Sequence, residues 1–249
     1  MGGYNRKFQR FNQVVAQTSA SLLALSCMSL LIPAAFKATA SDKVLGTGVE
    51  NLSHGTAIVL LAVYILYLLF QLKTHKTLYA SANEEEETET PLLPLWLGIV
   101  LLFAVTVVVA FCAEFLVSSI EGLSASWGIT HVFIGLVLLP IVGNAAEHVT
   151  AVSVAMKNKM DLAIGVAIGS SMQIALFVSP LMVIIGWGIN PATPMTLFFG
   201  TFETAVMFIS VLIVNYLIQD GESNWLEGVM LLSTYAIVAI AIFYLPEQQ

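Results

Sequence analysis

"IVGNAAEHVTAVSVAMKNKMDLAIGVAIGSSMQIALFV", residues 141–178, decides the fold. It reads as two apolar blocks joined by the short polar turn KNKMD, so the blocks are expected to be antiparallel neighbours. Each extends beyond the quotation, to Thr130–Met156 and Leu162–Trp187. A bilayer-spanning helix needs ~20 mostly apolar residues, and both blocks qualify. Outward from this pair lie Val14–Phe36, Thr56–Leu72, Leu92–Ser119, Met195–Ile218 and Trp225–Leu245. No ten-residue alternating pattern suggests a barrel, and lipid demands internally satisfied backbone. The expectation is an all-α polytopic membrane protein with about seven transmembrane helices, whose first partner is the lipid bilayer.

Composition agrees. Of 249 residues, 58% are hydrophobic and 10% charged, against about 25% charged in a soluble domain. The net charge of −7 is local, with five of the sixteen acids in NEEEETET, residues 83–90. No basic face offers itself to a nucleic acid. Cys27 and Cys112 lie inside apolar blocks, so no disulfide framework is expected. The polar, basic start MGGYNRKFQRFNQ leads into a long apolar block read as a span rather than a cleaved leader. Arg6 stands where a myristoylation signal wants Ser or Thr.

Between the blocks, residues 37–55 read as a polar, glycine-containing link, and EGLSASWG, GWGINPATP and QDGESN as turns. The acidic run reads either as a solvated linker or as a cytosolic regulatory helix. With the N-terminus in the cytosol, Arg6, Lys7, Arg10, Lys73, Lys76, Lys157 and Lys159 all fall on the cytosolic side, and only Lys37 and Lys43 on the other. Basic residues in short loops favour the cytosol, so that orientation is expected.

Against this apolar background a few polar residues stand out. Glu147 falls near the middle of its block, where an acid costs about 2.5–3.5 kcal/mol on insertion scales. It is therefore expected to point inward. On a continuous helix Asn144, Glu147 and Thr150 form one stripe. Gly143 permits close approach, and Pro140 loosens backbone carbonyls a turn earlier. A carboxylate, an amide oxygen and free carbonyls are hard ligands that suit Ca²⁺. In the next block Gly165, Gly169 and Gln173 share a face, with Ser170 beside them. Gly165-x-x-x-Gly169 equally fits plain helix packing. Neighbouring spans with Gly/Pro breaks at similar depth point to a transporter's central site. His148 lies about 100° round the helix from Glu147, and proton handling and packing both remain open for it. Glu114 and Glu203 are read as lying on the non-cytosolic half, Glu203 about two turns inside its span. They line an entrance, relay protons, or snorkel without a role. No zinc-protease, P-loop or nucleophile-elbow motif accompanies them, so a transporter rather than an enzyme is expected.

GNAAEHVTAVSVAMKNKMDLAIGVAIGSSMQIALF, residues 143–177, closely resembles the second signature repeat of the calcium/proton exchangers, vacuolar-type cation/H⁺ antiporters of the cation/calcium exchanger superfamily. SLLALSCMSLLIPAAF (21–36), LSHGTAIVLLAVYILYLLFQLKTH (52–75), AEFLVSSIEGL (113–123) and the acidic segment also resemble that family. The resemblance implies eleven spans, an extra first one and two inverted five-span repeats, each giving one signature to a central Ca²⁺ site. It implies residues 1–75 as the end of the first repeat, 76–94 as an acidic cytosolic loop, and 95–249 as the second repeat. Glu147 and Asn144 would belong to that repeat's half of the site, with Ser170, Ser171 and Gln173 on the matching helix and His148 in the motif. It further implies Ca²⁺ and H⁺ as transported ions, no organic cofactor, and a vacuolar membrane.

The sequence departs from that pattern, with seven blocks and one Gly-Asn-Ala-Ala-Glu motif. The expectation is therefore Ca²⁺/H⁺ exchange, with one intramembrane carboxylate shared by both ions. The alternatives are a truncated, non-transporting partner of a full-length exchanger, with a second chain supplying the missing repeat, or an antiporter for Mn²⁺ or Na⁺.

Overall fold

A computed structural model of the chain describes residues 3–39, 42–80, 93–189 and 195–245. The acidic run 83–90 and the turn residues 190–194 lie outside the described residues.

The described elements are a two-residue strand β1 (Gln9–Arg10), α1 (Gln13–Thr39), α2 (Asp42–Leu69), α3 (Lys76–Ala80), α4 (Leu95–Ser118), α5 (Ile120–Trp127), α6 (His131–Phe133), α7 (Leu139–Gly143), α8 (Ala145–Met156), α9 (Met160–Gln173), α10 (Ser179–Ile189), α11 (Thr201–Leu217), β2 (Glu222–Ser223) and α12 (Trp225–Phe243). By length and composition five helical stretches can each cross a bilayer: Gln13–Lys37, Gly48–Thr74, Leu95–Trp127, Met160–Ile189 and Trp225–Phe243. His131–Gly143 and Ala145–Met156 form a sixth, broken span, and Thr201–Leu217 is a shorter apolar helix. These are the seven expected blocks. No residue of α4 is buried, which suits a lipid solvent and would be untenable in water.

Three turns of the wide, π-helical type interrupt the regular helices: Phe70–Thr74, Ile134–Leu138 and Ile174–Val178. The last two are each followed, after one intervening residue, by a proline, Pro140 and Pro180. Proline lacks an N–H and its ring crowds the preceding turn; widening that turn re-aims the displaced carbonyls.

The structure corrects four expectations. The supposed link 37–55 is largely helix, since α1 runs to Thr39 and α2 starts at Asp42. The reason is tertiary: Ser53 and His54 are buried there, and packing outweighs weak glycine propensity. The supposed turn EGLSASWG is α5, closed by Gly128 at φ 65°, a left-handed cap that glycine adopts without strain. The span expected from Met195 is helical only from Thr201. The Thr130–Met156 block is not continuous but breaks at Asn144.

Contacts divide the chain into two units, Met1–Asn83 with Ala146–Thr234, and Glu84–Ala145 with Tyr235–Gln249. In the first, α1 packs on α11, α9 and α2, and α2 packs on α10. One core joins Leu30, Ala57, Leu60, Met172, Leu176, Val183 and Leu197; a smaller one joins Phe11, Ala16, Ala20, Ile168 and Ile218. In the second unit Tyr235 Oη donates to the Val137 carbonyl (3.2 Å) and Phe133 meets Phe243 edge-on.

Candidate functional site

The broken span shows its chemistry at the break. Asn144 leaves helical geometry (φ −98°, ψ 18°) and its N–H bonds the Pro140 carbonyl at 3.0 Å. Helix α8 then begins afresh at Ala145, which puts Glu147 in its first turn. The first N–H groups of a helix lack internal partners and carry partial positive charge, so an acid is favoured there. One helix was expected to carry Asn144, Glu147 and Thr150 as a stripe; the break removes Asn144 from it. Thr150 is exposed. The half-buried stripe of α8 is instead Glu147, Ala151, Val154 and Ala155, the helical spacing of one inward face. His148 is exposed, and neighbouring Val149 is 66% exposed. Glu147 therefore points with the inward face and His148 does not.

On α9 the buried stripe is Ala163, Ile168 and Met172, continued by Leu176 in the following turn. The polar residues lie off it. Ser170 is half-buried, while Ser171 and Gln173 are exposed. Both hydroxyls donate to the Ala167 carbonyl, at 3.4 and 3.0 Å, and each oxygen keeps lone pairs with which to accept. The expected interruption at Gly165 and Gly169 is absent: α9 runs unbroken through both, and the irregular turn starts only after Gln173. A Cβ placed on Gly143, Gly165 or Gly169 would meet nothing within 4 Å. Close packing by these glycines is therefore not realised among the described residues.

Glu203 sits in the first turn of α11, not two turns inside, because that helix begins late. Its carboxylate folds back over Gly200, and Oε2 is buried with no partner among the described residues. A Cβ at position 200 would run into that carboxylate. Glu114 is exposed on α4. No group of three or more His, Cys, Asp or Glu side chains that could hold a metal forms among the described residues.

Sequence reasoning missed what lies at the far end of α1. There Lys37 Nζ sits 3.9 Å over the Phe198 ring, Leu197 N–H donates to Ser53 Oγ (3.1 Å), and His54 stacks on Trp187 at 4.1 Å. His54 Nε2 is buried without a partner among the described residues. Reading residues 37–55 as a link hid this; the signal was a Ser-His pair directly before an apolar run. At the near end of α1 meet β1, the turn 157–159, α3 and β2. On α3, burial pushes the Tyr79 phenol above its ordinary value, so it stays neutral there.

Residues 97–244 match the family of sodium/calcium exchanger proteins. A vacuolar calcium ion transporter of Schizosaccharomyces pombe is 51% identical over 247 residues, covering 98% of this chain and 60% of that protein. A Ca²⁺/H⁺ antiporter of Synechocystis is 46% identical over 263 residues, 99% of this chain and 69% of that one. Vacuolar cation/proton exchanger 2 of Arabidopsis thaliana is 42% identical, over 96% and 56%. The solved structure of native YfkE superposes with a TM-score of 0.78 at 35% identity, covering 98% of this chain and 68% of that one. The chain thus spans roughly 56–69% of the length of these proteins.

Proposed function

The chain belongs to the sodium/calcium exchanger protein family, and on that premise we propose that it exchanges Ca²⁺ for H⁺ across a membrane, with Glu147 as the group both ions share. The observation that carries this is an acid on the inward stripe of α8, in the first turn after a broken helix. Discontinuous helices near mid-membrane are where transporters hold ions. Relatives named as Ca²⁺/H⁺ antiporters support the ion pair.

Ionised Glu147 binds Ca²⁺ from one side. Release of Ca²⁺ to the other side frees the carboxylate, which takes up a proton there and returns it. One carboxylate cannot hold both at once, and that exclusion couples the two fluxes. Ca²⁺ takes 6–8 oxygen ligands. Asn144, Ser170, Ser171 and Gln173 offer oxygens of the required hard type. Glu114, Glu203 and His148 are assigned to proton entry. Ca²⁺ is substrate; the chemistry asks for no organic cofactor and no bond-making step, so the protein is a secondary transporter rather than an enzyme. The names of relatives favour a vacuolar membrane. The clustering of β1, α3, the 157–159 turn and β2 at one end, with seven of the nine Lys and Arg in or just beside those connections, favours that end in the cytosol.

Proteoliposomes with an imposed proton gradient test this. Glu147→Gln keeps size and loses the charge, and Ca²⁺ uptake is expected to fall to background. Full uptake in that variant would remove Glu147 from the mechanism. A second reading is favoured by the open glycine face of α9 and the absence of an acid cluster among the described residues. In it the chain transports only when a second polypeptide supplies the remaining ligands. Uptake that appears only when such a partner co-purifies would select this reading.

A further inference from the structure

Helix α8 has no fully buried residue, only a half-buried stripe, so lateral packing holds it less firmly than it holds α9. Its C-terminal end is held differently. Asn158 N–H bonds the Ala155 carbonyl (3.0 Å) and Lys159 N–H bonds the Val154 carbonyl (3.0 Å), with Asn158 at φ 65°. This is the Schellman helix ending, with asparagine in the left-handed position. One side chain reads that cap. Gln9 Nε2 donates to the Ala155 carbonyl at 2.8 Å and to Asn158 Oδ1 at 3.2 Å. Gln9 is only 4% exposed, and a buried amide that lost these acceptors would be left unsatisfied.

The same segment grips the start of α9, because the Asn12 N–H donates to Asp161 Oδ1. Asn12 Oδ1 in turn accepts from Val15 N–H and caps α1. Gln9 and Arg10 pair with Ser223 and Glu222 in the antiparallel ribbon. Phe11 N–H bonds the Gly221 carbonyl at 3.0 Å, and Arg10 is ion-paired to Glu222 at 3.0 Å. Residues 9–12 are thus bolted to the body through β2 and to both sides of the α8–α9 turn.

We propose that Gln9 is a positioning residue that latches the cap of α8 and thereby sets the pose of the helix carrying Glu147. The role in transport rests on the reading given under Proposed function; the latch itself does not. With no fully buried residue along α8, what Gln9 holds at Ala155 is transmitted two turns up the helix to Glu147.

The test places a spin label at Val152→Cys on α8, with a control label at Ile209→Cys on α11, in the full chain with Cys27 and Cys112 replaced by Ala. In Gln9→Ala the α8 label is expected to become more mobile while the control stays unchanged. Asn158→Gly keeps the left-handed cap, since glycine adopts positive φ freely, and removes only the Oδ1 contact. It is expected to loosen α8 by a smaller amount. An unchanged α8 spectrum in Gln9→Ala overturns the proposal. If Gln9→Ala loosens both sites, Asn158→Gly decides: loosening confined to α8 supports the latch, and no change overturns it. In the transport assay, half-saturating Ca²⁺ should rise roughly three- to tenfold in Gln9→Ala, the equivalent of one lost hydrogen bond, with little change in maximal rate. A loosened α8 with unchanged half-saturation would leave the latch standing and count against Glu147 as the ligand.

Discussion

Helices α8 and α9 are joined by one short turn and carry between them every candidate ligand but Asn144, yet they are held in opposite ways. α9 buries Ala163, Ile168 and Met172 against its neighbours, and the turn after it buries Leu176. α8 buries no residue fully and is fixed at its cap by hydrogen bonds. The difference teaches that the two helices have separate mechanical characters. α9 is a wall, and α8 is an arm with an acid at the end that meets the break. A transporter needs both, because a site rigid on every side cannot open alternately to two compartments.

The largest effect that would break this contrast is a core truncation on the wall. Leu176→Ala, at a fully buried position, is expected to destabilise by about 1–3 kcal/mol. That is the lower part of the range for such changes, because lipid offers the unpacked side chain an apolar refuge. A thermal-unfolding series in detergent measures it. Next comes Gly169→Ala. With open space beside that glycine, alanine is expected to stabilise α9 by roughly 0.5–1 kcal/mol through helix propensity. Destabilisation instead would mean that a helix packs on this face in the assembled protein, and the small residues would then be a docking seam.

A smaller effect is expected on the arm. Val149→Ala, at an exposed position of α8, should change stability by less than about 0.5 kcal/mol. A loss comparable with that of Leu176→Ala would show α8 to be packed and would erase the comparison. Smallest of all is Arg10→Ala. The pair with Glu222 is solvent-exposed, so its loss is expected to amount to a few tenths of a kcal/mol and to vanish in high salt. A salt-independent loss would place it within the latch rather than beside it.

The membrane class and the seven segments were legible because apolar block length is a local property, and α1, α4 and α12 lie close to where the blocks predict. Glu147 stood out because an acid in such a block is conspicuous at any register. The stripe assigned to it was not. Asn144 and Thr150 share its face only on an unbroken helix, and the backbone at Asn144 decides otherwise. His54 was invisible for the converse reason. Glycines and polar residues around it resemble a link, and its burial depends on partners such as Trp187, 133 positions away in the chain.

By itself the sequence determined the solvent of this protein, its apolar segments and the few acids that stand out against their apolar logic, since each follows from transfer free energies read along the chain. The tertiary structure alone decided which face of α8 turns inward, where its helix breaks, and that a glutamine outside the membrane blocks holds its cap. These depend on partners distant in sequence, and hydrogen-bond geometry and packing between distant elements leave no periodic trace in the residues that supply them.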